Sequence, residues 1–445
     1  MKKYIVRANE KFLFESFERP LISALLGPRR VGKTTLLNYY MQLHPEKKWV
    51  SLNMDILSQR RRIANEELEI LIEQEALQKI GGAKKIWVFI DEAQKCPELF
   101  DQVKLIYDAH KGQDHIKFIL TGSAHLNLHQ LTAESLAGRV ELLHLREFNL
   151  REMTLLTHPD LSLPQESTFD ILFSSKDFTH KEFQKLKEIF SHLRPFQKQC
   201  TESLNNHLLW GGLPETFEEK SENSHLKYLG DYLQTYLEKD IRAIDSISDL
   251  HLFENLMKIC AELTGSLRDD KKITNALHCS RNTLSKYRDY LLATLQYIEI
   301  YPYIESSVKR LVKSPKGYLT NNGLVSYLTG IHNLSILQTT GLIGHRLENW
   351  FLNEIQTWTD TMAERSQISF WRTAAGAEVD FIATLGAQVI PFEITYNTQA
   401  HSKKFNNIKN FMKSTPTCTL GVICYLGSLS YDEEHRILFL PAWMI

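Results

Sequence analysis

Cysteine is scarce in this sequence, and its spacing excludes two classes of protein at once. The six residues, Cys96, Cys200, Cys260, Cys279, Cys418 and Cys424, form no C-x-x-C pair, so neither a zinc ribbon nor a disulfide scaffold is encoded. A reducing compartment follows as the expectation. No apolar run approaches the roughly 18 residues needed to cross a bilayer. The opening Met1-Lys2-Lys3-Tyr4-Ile5-Val6-Arg7 is broken by charge before an apolar signal region forms, so a soluble, cytoplasmic protein with no membrane contact is expected. Excess charge of one sign is also missing: the net charge is −1, so any nucleic-acid surface must be local. Repeats and low-complexity tracts are absent too. What remains is ordinary globular composition, 43% apolar and 24% charged over 445 residues, enough for about two to four domains.

The most specific motif is Gly27-Pro28-Arg29-Arg30-Val31-Gly32-Lys33-Thr34, followed by Thr35 and preceded by the apolar run Leu21 to Leu26. The spacing G-x-x-x-x-G-K-[ST] after a strand is a phosphate-binding loop for a nucleoside triphosphate. Its glycines let backbone N–H groups turn towards phosphate oxygens, Lys33 brings a point charge to the β and γ oxygens, and Thr34 offers a hydroxyl to Mg²⁺. A helix starting at Gly32 adds its positive end.

Ile86-Trp87-Val88-Phe89-Ile90 reads as a strand buried on both faces, ending in Asp91 and Glu92. Asp91 is the expected Mg²⁺ partner and Glu92 the expected base or orienter for attacking water. In sequence, Lys48-Trp49-Val50-Ser51-Leu52 and a helix around 66–80 lie between the two motifs. An extra strand between the phosphate-loop strand and the acidic strand, with glutamate beside aspartate, distinguishes ATPases that activate their own water from kinase-like folds. A helix over 99–109 and a strand over 116–120 follow, ending in Thr121-Gly122-Ser123. A small hydroxyl there suits a γ-phosphate water, and Ser123 is preferred over Thr121. Arg139 precedes the strand-like Glu141 to Leu145. It is either an arginine finger offered to a neighbouring subunit, which implies a homo-oligomer, or a structurally paired arginine.

Together GPRRVGKTTLL, FIDEAQKCPELFDQVKLIYD, FILTGSA, ESLAGRVE and LWGGLPE resemble the AAA-type ATPases of bacteria and archaea that carry a C-terminal domain of unknown function with a nuclease-like pattern. The likeness runs over nearly the whole chain. It implies an α/β P-loop ATPase core, a parallel sheet flanked by helices, then a helical lid, a winged-helix segment and a C-terminal α/β restriction-nuclease-like domain. The corresponding boundaries are 1–150 for the core, 151–265 for an insertion and the lid, 266–330 for the winged-helix segment and 331–445 for the C-terminal domain. In related ATPases an element such as Gly212-Leu213-Pro214 sits near the nucleotide; a simple helix connector is the alternative.

Ile273 to Leu277, the turn His278-Cys279-Ser280 and the helix Arg281 to Leu292 form a helix-turn-helix pattern, with Ser280 as N-cap. The second helix turns Leu284, Tyr287, Leu291 and Leu292 inward and leaves Arg281, Asn282, Ser285, Lys286 and Arg288 outside for DNA. Between Arg268 and Lys316 there are 10 Lys and Arg against 5 Asp and Glu. DNA contact and domain packing both remain open for this segment.

Helix Glu348, strand Asp380 and strand Glu393 follow the carboxylate order of restriction-type nucleases, with Asp380 and Glu393 as possible metal ligands. The lysine position, however, is Thr395; Lys403 or Lys404 on the following helix could substitute from another direction, which nothing in the spacing requires. A degenerate, noncatalytic domain is the expectation. Two functional readings stand: a Mg²⁺-dependent ATPase coupled to binding or remodelling of duplex or junction DNA, and an ATP-driven switch controlling a protein partner.

Overall fold

The computed structural model describes residues 4–65, 67–123, 136–164, 166–174, 177–219, 221–242, 247, 249–304, 313–362, 366–400 and 402–445. Contacts group the chain into two units, Met1–Glu147 with Asp289–Gln296, and Phe148–Arg288 with Tyr297–Ile445.

The first unit is built on five parallel strands: β1 Ile22–Gly27, β2 Lys48–Asn53, β3 Ile86–Asp91, β4 Ile116–Ser123 and β5 Val140–His144. Their order is β2-β3-β4-β1-β5. The strand that separates β1 from β3 in space is therefore β4, whereas the segment Lys48–Leu52 that separates them in sequence occupies the edge. Strands β1 and β3 read as continuous apolar runs because helices cover the sheet. The helices Leu57–Ala64, Leu68–Ala76 and Glu98–Ala109 bury Ile63, Leu71, Ile72, Leu99, Phe100 and Val103 in one core with Val50, Val88 and Ile90. All five strands being parallel, loops at their C-terminal ends share one edge, and the phosphate loop and Asp91 both fall there.

The second unit begins with helices, including Leu150–Thr157, His180–Leu193, Gln197–Trp210, Glu222–Thr235 and Leu250–Glu262. The helices Asp270–Leu277 and Arg281–Ala293 appear where the helix-turn-helix spacing places them, and Ser280 Oγ caps the second by accepting from the Thr283 N–H at 3.0 Å. The strands β6 Ser266–Leu267, β7 Tyr297–Pro302 and β8 Lys316–Leu319 do not stand alone. They extend a nine-stranded sheet with β9 Ser366–Arg372, β10 Glu378–Leu385, β11 Gln388–Ile394, β12 Gly421–Tyr425, β13 Ser430–Asp432 and β14 Ile437–Pro441, in the order β13-β14-β12-β11-β10-β9-β7-β8-β6. The join is the parallel pairing of Tyr301 with Ser369 and Pro302 with Phe370. One face is covered by the helix Ile343–Thr359, whose Phe351 ring lies 5.6 Å from Phe381 and 5.2 Å from Phe392.

Candidate nucleotide site

The loop after β1 requires its glycines. A Cβ on Gly27 would lie 2.2 Å from the Leu145 carbonyl oxygen, because the chain after β5 closes on β1 through Leu145 N–H donating to Leu26 O at 2.8 Å. Arg30 and Gly32 take left-handed backbone, φ 60° and 96°, as the loop wraps into the helix Lys33–Leu43. The buried Lys33 donates from Nζ to the carbonyls of Gly27 and Pro28, both at 2.9 Å. Pro28, Arg29 and Val31 complete the turn, and Thr34 and Thr35 are exposed on the first helical turn.

Thr34 Oγ1 donates to Asp91 Oδ2 at 3.1 Å, so a hydroxyl from the phosphate loop meets the carboxylate ending β3. Thr121 Oγ1 donates to the other oxygen, Oδ1, at 2.5 Å. Glu92 has left-handed backbone, φ 55°, a strained geometry costing of order 1–3 kcal/mol that concentrates at functional sites. Its Oε2 accepts from Gln94 Nε2 at 2.8 Å and lies 3.5 Å from Lys95 Nζ. These residues fit a metal-bound triphosphate: a lysine at the loop, a hydroxyl beside an aspartate, and a second carboxylate one residue on. Ser123 pairs along its backbone with Gly27 in the β1–β4 ladder, but its side chain lies outside the described residues.

One participant was not legible in the sequence. Buried Arg7 donates from Nη1 to Val31 O at 2.8 Å and from Nη2 to Arg146 O at 2.6 Å, tying the loop to the segment after β5. Nothing in its sequence context marks it. Thr121 was visible as the second choice of hydroxyl, and its contact with Asp91 follows from β4 lying next to β3.

Arg139 stands at the start of β5, paired through its carbonyl with the Ile22 N–H at 2.9 Å. It forks onto Asp108, Nε to Oδ1 at 2.7 Å and Nη2 to Oδ2 at 2.8 Å. Gly212 and Pro214 lie in the second unit, where Gly212 O accepts from Phe148 N–H at 2.7 Å and Pro214 opens a short 3-10 turn.

The C-terminal carboxylates are brought together. Lys404 Nζ donates to Asp380 Oδ2 and Glu393 Oε2, each at 2.7 Å, while Asn407 Nδ2 donates to Glu393 Oε1 at 3.0 Å. Asp380 also accepts from the Ile394 N–H at 2.8 Å. Burial works against its charge, but Lys404 and Lys316 hold Asp380 below the usual carboxylate range. Burial and then the Asp380 charge push Glu393 well above it. Burial and Asp380 likewise push Glu348 up to about 8. Lys316, from β8, pairs with Glu378. Lys404 thus approaches from the helix Ser402–Ser414 while Thr395 is buried, and Lys403 stays exposed. Among the described residues, no group of three or more His, Cys, Asp or Glu is arranged as a metal site.

On the helix Arg281–Ala293, Arg281, Asn282 and Lys286 are exposed and Ser285 is half-buried. The expectation that Arg288 lies outside is corrected: its Nη1 donates to Asp270 at 2.8 Å and its Nε lies 3.4 Å from Glu299. Arg268 is taken up by the same two carboxylates, at 3.1 Å from Asp270 and 2.8 Å from Glu299. Four residues further on than Leu284, the 3.6-residue period carries position 288 back to the inward face.

Residues 19–154 match the family model described as an AAA domain, and the first unit is an AAA-type P-loop ATPase domain. Residues 201–335 and 343–445 match two families described as domains of unknown function, DUF8612 and DUF4143. Uncharacterized proteins of Mycobacterium tuberculosis and Mycobacterium bovis are each 25% identical over 424 residues, covering 95% of this chain and 79% of theirs. Similar solved structures include the Aeropyrum pernix ORC1 protein in complex with DNA, at 13% identity and TM-score 0.31 over 76% of this chain and 95% of that one. The Thermotoga maritima RuvB Holliday junction branch migration motor aligns at 14% identity and TM-score 0.27 over 69% of this chain and 95% of that one. Among the described residues, no helix is long and apolar enough to cross a membrane.

Proposed function

We propose that the protein binds ATP with Mg²⁺, hydrolyses it in a homo-oligomer, and couples turnover to DNA. The observation that carries this reading is the meeting of Thr34 and Thr121 on opposite oxygens of Asp91, beside the phosphate loop. Mg²⁺, when bound, neutralises charge on the β and γ oxygens. Thr34 and Asp91 would hold it, and Lys33 would exchange its loop carbonyls for phosphate oxygens. Glu92, steadied by Gln94, takes the proton from the attacking water, and Ser123 or Thr121 orients that water. Arg139 completes the site of a neighbouring subunit. Gly212 and Pro214 are assigned to sensing the nucleotide's state.

The helices Asp270–Leu277 and Arg281–Ala293, with β7 and β8 as wing, are assigned to a winged helix gripping DNA. Lys271, Lys272, Arg281 and Lys286, all exposed, would make the phosphate contacts, with Asn282 and Ser285 beside them. The C-terminal unit is read as a degenerate nuclease-like fold: Lys404 Nζ already sits between Asp380 and Glu393, where a cation would otherwise be held. The switch reading, with a protein partner, is favoured by one observation: Arg268 and Arg288 are consumed internally by Asp270 and Glu299, which reduces the charge left for a duplex.

Steady-state ATP hydrolysis with duplex, single-stranded and four-way junction DNA, at low and physiological salt, separates the readings, with Lys33→Ala as blank. Stimulation by one DNA form is expected. Turnover insensitive to every DNA would leave the switch.

A further inference from the structure

Arg139 stands at the wrong end of the sheet for its own nucleotide. In the β1–β5 ladder Ile22 faces Val140 and Leu26 faces His144, so Arg139 lies at the strand starts while the phosphate loop leaves the strand ends. Five residues of strand separate them, about 16 Å. An arginine so placed serves a phosphate only on another copy of the chain. What holds it meanwhile is Asp108, through two parallel bonds of 2.7 and 2.8 Å, the geometry in which guanidinium and carboxylate match best.

Asp108 is the penultimate residue of the helix Glu98–Ala109, where the helix dipole disfavours an anion and the Arg139 cation offsets it. Gly138, immediately before Arg139, has φ 71°, and among the described residues nothing lies within 4 Å of the place a Cβ would take. One turn back on the same helix, Leu105 is 67% exposed, an apolar side chain on the face that carries Asp108. Both members of the fork are partly open to solvent, 28% and 37%, so the pair is easily broken.

We infer that Asp108 is a positioning residue for Arg139, holding the guanidinium folded back in the lone subunit and releasing it when a second copy presents its nucleotide against the Leu105–Asp108 face. This rests on the reading of Arg139 as a group donated in trans. Assembly then competes with the fork: each subunit gives up its Asp108–Arg139 pair before it completes its neighbour's site. Asp108 thereby sets the protein concentration at which turnover switches on.

The test is ATP hydrolysis per subunit against protein concentration, using the full chain. Wild type, Asp108→Asn, Asp108→Glu, Arg139→Ala and the double variant Asp108→Asn with Arg139→Ala are compared. Asp108→Asn is expected to lower the concentration of half-maximal activity by about two- to fivefold, the range an exposed ion pair supplies. Asp108→Glu should return it towards wild type, and the double variant should match Arg139→Ala at every concentration. A curve for Asp108→Asn that superimposes on wild type, while Arg139→Ala is inactive, overturns the role of Asp108 and leaves the shared site standing. A double variant more active than Arg139→Ala overturns it as well, since Asp108 would then act through something other than Arg139. Wild-type turnover by Arg139→Ala removes the shared site itself, and this inference with it.

Discussion

At the scale of single residues, the nucleotide site separates binding from chemistry. On the proposed reading, Lys33 would supply charge to phosphate in every state, whereas Glu92 would act only on the water. Lys33→Ala is therefore expected to weaken ATP binding, and Glu92→Gln to retain ATP while turnover stops, as measured by equilibrium binding beside steady-state hydrolysis. Normal hydrolysis by Glu92→Gln would move the base elsewhere. Gly27 makes a different kind of demand. Its missing Cβ admits the Leu145 carbonyl, an atom of backbone that has no rotamer to yield, so Gly27→Ala should lower stability by about 1–3 kcal/mol in denaturant titrations. The loop motif was legible because its spacing is a local property of the chain. Arg7 was not, since it reaches Val31 across 24 positions of sequence and no periodicity encodes that distance.

At the scale of elements, the lysine on the helix Ser402–Ser414 controls the carboxylates of β10 and β11. Lys404→Ala leaves Asp380 and Glu393 without the cation they share and should cost about 3–5 kcal/mol in unfolding free energy, the usual penalty for breaking a buried pair. Replacing all three together, as Asp380→Asn, Glu393→Gln and Lys404→Met, should cost much less, and an equal loss would show that the pairing is not what stabilises the unit. Glu348 adds a pH dependence. Because its folded pKa is raised from 4.5 to about 8, the native state holds a proton there that the unfolded chain has lost, so stability declines as pH rises between those values. The slope is at most about 1.4 kcal/mol per pH unit for one proton, and Glu348→Gln should flatten it across denaturation curves taken at about pH 5 to 8. The carboxylate order was readable in sequence, but the lysine was not placed by it: the ladder position is filled by Thr395, and only packing of the next helix brings Nζ to the pair.

At the scale of the whole molecule, assembly and DNA are the questions. If Arg139 serves a neighbour, mixing Arg139→Ala subunits with wild type in equal parts should depress turnover below the proportional value; strictly proportional loss would argue against shared sites. If the helix-turn-helix grips a duplex, affinity should fall steeply with salt, and Arg281→Ala with Lys286→Ala should reduce that slope by about 2, one for each phosphate no longer neutralised. An unchanged slope in a titration of binding against salt would transfer the segment to domain packing. Arg288→Ala, by contrast, should act on stability through Asp270 and Glu299.

The sequence by itself determined the phosphate loop, the acidic end of β3, the strands β1, β2, β3 and β5 within a residue, the start of β4 though not its run to Ser123, and the capped helix after Ser280. Each rests on short-range rules: a fixed motif spacing, apolar runs where both faces of a sheet are covered, a hydroxyl before a helix. Only the tertiary structure decided that β4 lies between β1 and β3, that Thr121 reaches Asp91, and that β7 joins the C-terminal sheet. It also decided that Arg139 rests on Asp108, Arg288 on Asp270, and Lys404 on Asp380 and Glu393. Those are pairings between residues far apart in the chain, chosen by which partner packing brings within about 3 Å, and charge alone does not select among the many carboxylates available.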